Sequence, residues 1–183
     1  MSRERILQIL TSAKNGKLSL EQTAQLLRLA DERTDFATID HARAMRCGSP
    51  EVIFAGGKTP TQVVEIARRI VEVSGYALIT RANADHADAI AEAFTALRTD
   101  DRRQTMLVGQ VPKPTGTTIP IVTAGTSDLP VADEAALTFA AMGQNCRIIN
   151  DVGVAGIHRL IERLDDLRDA GVIVCIAGME GAL

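Results

Sequence analysis

Hydrophobic positions in this chain recur in two ways: every third or fourth residue in some stretches, and in short unbroken runs in others. The first thirty residues show only the helical spacing. Ile6, Leu7 and Leu10 form a short stripe, Asn15-Gly16 breaks the chain, and Ser19 with Gln22 reads as a capping box. The next helix carries Leu20, Ala24, Leu27 and Ala30 down one side, with Leu26 and Leu29 beside them. A helical hairpin is expected here, an arm for packing or oligomerisation.

From Phe36 the two spacings alternate. Phe36 to Ile39 reads as a short strand, and the polar stretch Asp40 to Pro50 leads to a second strand, Glu51 to Ala55. Thr59-Pro60-Thr61-Gln62 is a strong helix start, with proline at the first helical position, and Gly75 closes the helix. Tyr76 to Thr80 predicts a strand, Asp85 to Leu97 a helix with His86 exposed near its start, and Thr105 to Val108 a short strand. Lys113-Pro114-Thr115-Gly116 then reads as a linker.

The second part repeats the alternation. Ile119 to Thr123 leads into Ala124-Gly125-Thr126-Ser127-Asp128, and a helix is expected from about Pro130 to Met142. Asn145 to Asn150 predicts a strand. The loop Asp151 to Gly156 opens a helix whose inner face is Ile157, Leu160, Ile161, Leu164 and Leu167, stopped by Gly171. Val172 to Ala177 is apolar throughout, as a strand between two helix layers would be, which puts Cys175 in the core, and Cys146 is read likewise. Strand, helix, strand, helix, strand is half of a doubly wound parallel sheet. The expected organisation is a helical arm (1–35), a small α/β domain (36–114) and an incomplete parallel-sheet domain (119–183).

Composition narrows the class. With 46% hydrophobic residues, 23% charged and a net charge of -3, the chain reads as an ordinary globular protein, and its mild acidity argues against nucleic acid as a partner. Aromatic residues at 3% leave little for base stacking. No apolar run reaches the ~20 residues of a membrane span. Three cysteines without paired spacing suit a reducing cytoplasm and argue against a zinc site. Small polar metabolites are the expected partners.

Ligands of open parallel sheets bind at the carboxyl ends of the strands. Three loops fall there: Gly125 to Asp128, Asp151 to Gly153 and Gly178 to Gly181. Gly125, Thr126 and Ser127 precede a helix whose free N–H groups suit a phosphate or carboxylate. The carboxylates Asp128, Asp151 and Glu180 are expected to gather on that edge, although each could instead cap a helix or face solvent. Gly56-Gly57-Lys58-Thr59 is not a phosphate loop, because the position five before Gly57 is Val52 rather than glycine. Lys58 is still a candidate for an anion. His41 stands among Asp40, Arg43 and Arg46, and Cys47 sits in a turn beside cations that could lower its pKa. His158 is read as a surface or packing residue.

These residues resemble a known family. Asp40-His41-x-Arg43-x-x-Arg46-x-Gly48-x-Pro50-Glu51-Val52-Ile53-Phe54, followed by Gly57-Lys58-Thr59, is similar to the N-terminal signature of LarB, the carboxylase of nickel-pincer cofactor biosynthesis that serves lactate racemase maturation. Val122 to Ala132, Asp151 to Leu160 and Ala177 to Leu183 are similar to that family's second domain, itself related to PurE, the aminoimidazole ribotide carboxylase/mutase. Where PurE has an active-site histidine, the loop ending in Ala182-Leu183 carries alanine.

The resemblance implies a substrate, nicotinate adenine dinucleotide, and a co-substrate, CO2 or bicarbonate. The products are pyridinium-3,5-biscarboxylate mononucleotide and AMP. A pyridinium carbon is electrophilic, so it cannot attack CO2 until a thiolate adds to the ring and makes the neighbouring carbon enamine-like. Asp151 or Glu180 is then a plausible base for the proton lost, with Asp128 the third carboxylate of that edge. The Ser127-Asp128 loop would hold a carboxylate or phosphate, and Lys58, Arg43 and Arg46 the diphosphate. No metal ligand set is read, although magnesium is compatible with such a substrate. The family also implies a homo-oligomer for the complete protein. LarB chains continue several dozen residues beyond the motif ending at Leu183 and carry their nucleophilic cysteine there. The resemblance therefore implies a truncated chain without complete turnover. A PurE-type carboxylase/mutase and a non-catalytic nucleotide-binding or assembly module are the two alternatives.

Overall fold

The computed structural model describes residues 3–27, 32–178, 181 and 183, without the side chains of Arg3, Arg5, Gln25, Met45 and Arg46. Helix α1 (Arg3–Lys14) and helix α2 (Leu20–Leu26) form the expected hairpin. The Gln22 N–H donates to Ser19 Oγ at 3.0 Å, and Gln22 Oε1 accepts from the Ser19 N–H at 2.9 Å. The buried residues of this hairpin are Ile9 and Thr23, while Leu7, Leu10, Leu20 and Leu26 stay exposed. Leu29 and Ala30 lie outside the described residues. Strand β1 (Glu32–Arg33) pairs antiparallel with β2 (Thr38–Ile39). The strand expected from Phe36 shrinks to two residues because Thr34 Oγ1 accepts from the Ala37 N–H at 2.9 Å, a side-chain turn that competes with the ladder. A short helix α3 (Arg43–Cys47) follows.

Four strands then form a mixed sheet in the order β3 (Val52–Phe54), β4 (Tyr76–Thr80), β6 (Met106–Gly109), β5 (Leu97–Thr99). Strands β3 and β4 are parallel and joined by α4 (Pro60–Ser74); β5 and β6 are antiparallel additions. The Thr59–Gln62 capping box forms, and Gly75 ends α4 at φ +85, where a side chain would be strained. Helix α5 (Ala84–Ala93) stops short of the expected Leu97 because Phe94 turns extended and Leu97 pairs with Val108 across the β5–β6 ladder. Apolar faces of α4 and α5 bury Val63, Ile66, Ile70 and Ile90 against Ile53, Ile79 and Met106 of the sheet.

The second sheet is wholly parallel, in the order β8 (Gln144–Ile149), β7 (Thr115–Thr123), β9 (Val174–Ile176). Thr115 and Gly116, expected in a linker, already belong to β7, where Thr115 pairs with Gln144. A 3-10 turn at Thr126–Asp128 leads into α6 (Leu129–Ala141). The helix expected after Gly156 is broken into α7 (Ile157–Ile161) and α8 (Leu164–Arg168), with the Arg163 N–H bonded to the Leu160 carbonyl at the joint. Its inner face is narrower than expected. Leu160 and Leu167 reach Val122, Ile149 and Val152, but Ile157, Ile161 and Leu164 are exposed. Strand β9 is shorter than the expected Val172–Ala177 and pairs with β7 alone among the described residues; Val172 and Ile173 fall before it, and they and Cys175 are exposed.

Helix α6 belongs to both sheets. It packs on β7 and β8 of its own sheet and also on β4 and β6 of the first. Leu137, Ala140 and Ala141 pack around Leu78, Leu107 and Tyr76, and Glu134, closer to the helix start, meets Arg81 just beyond β4. Helix α6 therefore runs antiparallel to β4. Because α6 begins at the carboxyl end of β7, the carboxyl ends of β3, β4 and β7 all face one end of the molecule. Among the described residues, no helix is long and apolar enough to cross a membrane.

Candidate functional site

On the second sheet, backbone bonds lace the strand ends together. The Ala124 N–H donates to Ile176 O, the Val152 N–H to Thr123 O and the Gly153 N–H to Ala124 O, each at 3.0–3.1 Å. Thr123, fully buried, donates its hydroxyl to Asn150 Oδ1 at 2.6 Å and accepts from the Asp151 N–H at 3.3 Å. Gly153 approaches so closely that a Cβ there would lie 2.7 Å from Ala124 O. Asp151 takes φ +61, a conformation short polar residues tolerate best, and its carboxylate pairs with Arg159. Gly156 leaves room for that arginine, since a Cβ would fall 2.4 Å from Arg159 Nε.

Asp128 Oδ2 accepts from the Gly125 N–H at 2.9 Å, closing the loop on itself. Ser127 and Thr126 are exposed beside it. Asp128 and Asp151 thus stand at the ends of neighbouring parallel strands, each already engaged by its own chain. Glu180 lies outside the described residues.

On the first sheet, the turn after β3 is held from behind. His86 is buried, not exposed, and both its ring nitrogens are used. The Asn83 N–H, which can only donate, reaches His86 Nδ1 at 3.1 Å. Nε2 therefore carries the proton and donates to Lys58 O at 2.8 Å. Lys58 Nζ donates to Phe54 O at 2.7 Å, and its stem lines a cleft of about 330 Å³ between β2 and β3, flanked by Phe36, Thr38, Glu51 and Phe54. Arg43 is exposed on α3 and does not line this cleft, and Arg46 also falls on α3. Of these three cations, Lys58 is the one that lines the cleft at the end of β3 among the described side chains.

Two further features escaped the sequence reading. Arg81 directly follows β4 at φ +56, a conformation that costs a non-glycine residue about 1–2 kcal/mol. Its contact with Glu134, 3.3 Å at an exposed position, returns about 0–1 kcal/mol. Nothing in local sequence marks it, because the conformation depends on where the chain must turn into α5. The other feature is the setting of His41, which is buried with Nε2 at 2.8 Å from Glu32 Oε2, while Glu32 also pairs with Arg69. The His41 hydrogen bond first, and Arg69 second, hold the Glu32 carboxyl below its usual range. This network fastens the β1–β2 hairpin to α4.

Cys175 is exposed near the carboxyl end of β9. Cys47 is exposed at the end of α3, and Cys146, half-buried with its thiol pushed up by burial, has Sγ 3.8 Å from Ala136 O under α6. His158 is exposed. Among the described residues no group of three or more His, Cys, Asp or Glu side chains could hold a metal ion.

Residues 31–110 match the LarB/PurE-like N-terminal domain. An uncharacterized protein of Methanocaldococcus jannaschii is 32% identical over 189 residues, covering 96% of this chain and 73% of the archaeal one. The chain belongs to the LarB/PurE-like family, a family of enzymes with carboxylase- and mutase-related functions.

Proposed function

We propose that this protein acts in the carboxylation of the pyridinium ring of nicotinate adenine dinucleotide, with CO2 or bicarbonate as co-substrate, and that residues 1–183 hold and orient the dinucleotide. The observation that supports this reading most is the placement of two sets of strand-end loops at one end of the molecule by α6. One set offers cations, Lys58 and Arg81. The other offers the hydroxyls of Thr126 and Ser127 and the carboxylates Asp128 and Asp151. An elongated ligand with a central diphosphate suits such a divided site better than a compact ribotide does.

The reaction needs a thiolate to add to the ring, a carbon–carbon bond to CO2, loss of the ring proton to a base, and departure of the thiolate. Asp151 is the better candidate base in this chain. Its carboxylate is half-exposed at the loop, whereas Asp128 is turned inward to cap Gly125. Glu180 remains a proposed site residue on the resemblance alone, as does magnesium as a companion of the diphosphate. Exposed apolar side chains on α1, α2 and α7, and at Val172 and Ile173 before β9, support a homo-oligomer.

Equilibrium dialysis against nicotinate adenine dinucleotide and against aminoimidazole ribotide tests the reading. Saturable binding of the dinucleotide with little ribotide bound is expected. Preference for the ribotide overturns it in favour of the PurE-type reaction.

A further inference from the structure

We propose that Arg81 is a phosphate-binding residue that joins the two strand edges, gripping the diphosphate of a dinucleotide whose ends reach toward Lys58 on one side and Thr126–Ser127 on the other. The inference deepens the dinucleotide reading above and rests on it.

Arg81 is locked in the left-handed region from both sides. The preceding carbonyl, Thr80 O, accepts from the Ala55 N–H at 2.9 Å, and the following N–H, that of Ala82, donates to Gln104 O at 2.9 Å. Glycine would occupy φ +56 without strain, so a long side chain there is kept at a cost. The other two non-glycine residues with positive φ among the described residues have local explanations. Arg103 closes a turn in which Asp100 O accepts its N–H while the Asp100 carboxylate accepts from Gln104 and Thr105. Asp151 is a residue type that tolerates the conformation, and it is paired with Arg159.

The Arg81 side chain is 62% exposed and meets Glu134 through Nε alone, at 3.3 Å. Its two terminal nitrogens have no protein partner among the described residues. They form the planar fork that matches a phosphate. From Leu129 to Glu134 is roughly 8 Å along α6, so the guanidinium stands about one and a half turns from the Thr126–Asp128 loop. The turn carrying Lys58 lies on the other side, since α5, whose His86 holds Lys58 O, begins three residues after Arg81.

Calorimetric titration of nicotinate adenine dinucleotide and of inorganic pyrophosphate into wild type, Arg81→Gly and Glu134→Gln, with thermal unfolding of each, tests the assignment. Arg81→Gly is expected to melt at or above the wild-type temperature yet bind both probes at least ten-fold more weakly. Glu134→Gln, which frees the guanidinium, is expected to bind them as tightly or more tightly. If Arg81 only ties α6 to β4, Arg81→Gly and Glu134→Gln both lower the melting temperature while binding is unchanged, and the inference falls with the dinucleotide reading intact. If pyrophosphate binding depends on Arg81 but nicotinate adenine dinucleotide binds no better than pyrophosphate, the phosphate site stands and the dinucleotide reading falls.

Discussion

His86 Nε2 donates to the carbonyl oxygen of Lys58 at 2.8 Å, across 28 residues of chain. This bond ties the start of α5 to the turn after β3, and so fixes the loop from which Lys58 and Thr59 project. His86→Ala strips a buried donor from a carbonyl and leaves the Asn83 N–H without its partner. The expected loss is about 1–3 kcal/mol of folding stability, read as a lower urea midpoint. An unchanged midpoint would mean that the turn holds its shape without the histidine.

The Glu32 carboxyl predicts an acid-side dependence. Its folded-state pKa is lowered, chiefly by the His41 hydrogen bond and then by Arg69. Its contribution is therefore complete above the ordinary glutamate value of 4.5, and is lost as the pH falls from there through the lowered folded value. The stability difference between wild type and Glu32→Gln should shrink as the pH falls below 4.5. A difference that grows as the pH falls below 4.5 contradicts the pairing.

Asp133 predicts the opposite sign. Burial first, then Asp100 and Asp101, raise its carboxyl above the usual range, so its ionised form costs stability once the pH exceeds that raised value. Asp133→Asn is expected to raise the melting temperature at neutral pH and to have little effect at low pH. A lower melting temperature at pH 7 would show that the carboxylate is needed where α6 meets the β5–β6 turn.

Two glycines of the second strand edge should respond differently to alanine. At Gly153 the new Cβ meets backbone, Ala124 O at 2.7 Å, so Gly153→Ala is expected to cost about 1–3 kcal/mol. At Gly156 it meets the mobile end of Arg159, which can swing away and leave Asp151 unpaired. Gly156→Ala should keep most of the stability while altering dinucleotide binding. Denaturant curves and titrations on the two variants separate the effects.

Elements bounded by strong local chemistry were legible in sequence. Helix α4 lies between its Thr59 cap and Gly75 as expected, β4 spans Tyr76 to Thr80, and the Ser19–Gln22 box forms. What local pattern could not show depends on neighbours distant in sequence. Val172 and Ile173 read as part of a strand by composition, but the strand begins only at Val174 and both are exposed. Leu97 continues a helical stripe, yet strand pairing with Val108 claims it. His86 reads as a surface residue until the turn 28 residues earlier is seen to end against it.

The same division runs through the site. Asp128, Asp151 and the Gly125–Ser127 loop follow from the rule that parallel strands carry ligands at their carboxyl ends, and they lie there. Arg43 stands with Lys58 by proximity in sequence, but it is exposed on α3 and does not line the cleft that Lys58 lines. Arg81 carries no motif, and only its backbone angle and the position of α6 bring it forward.

The central claim is that one dinucleotide spans both strand edges. Amide hydrogen exchange with and without saturating nicotinate adenine dinucleotide tests it most directly. The account predicts simultaneous protection of residues 55–58 and 81–83 on the first sheet and of 125–128 and 151–153 on the second. Protection confined to one sheet, or absent from both, contradicts it.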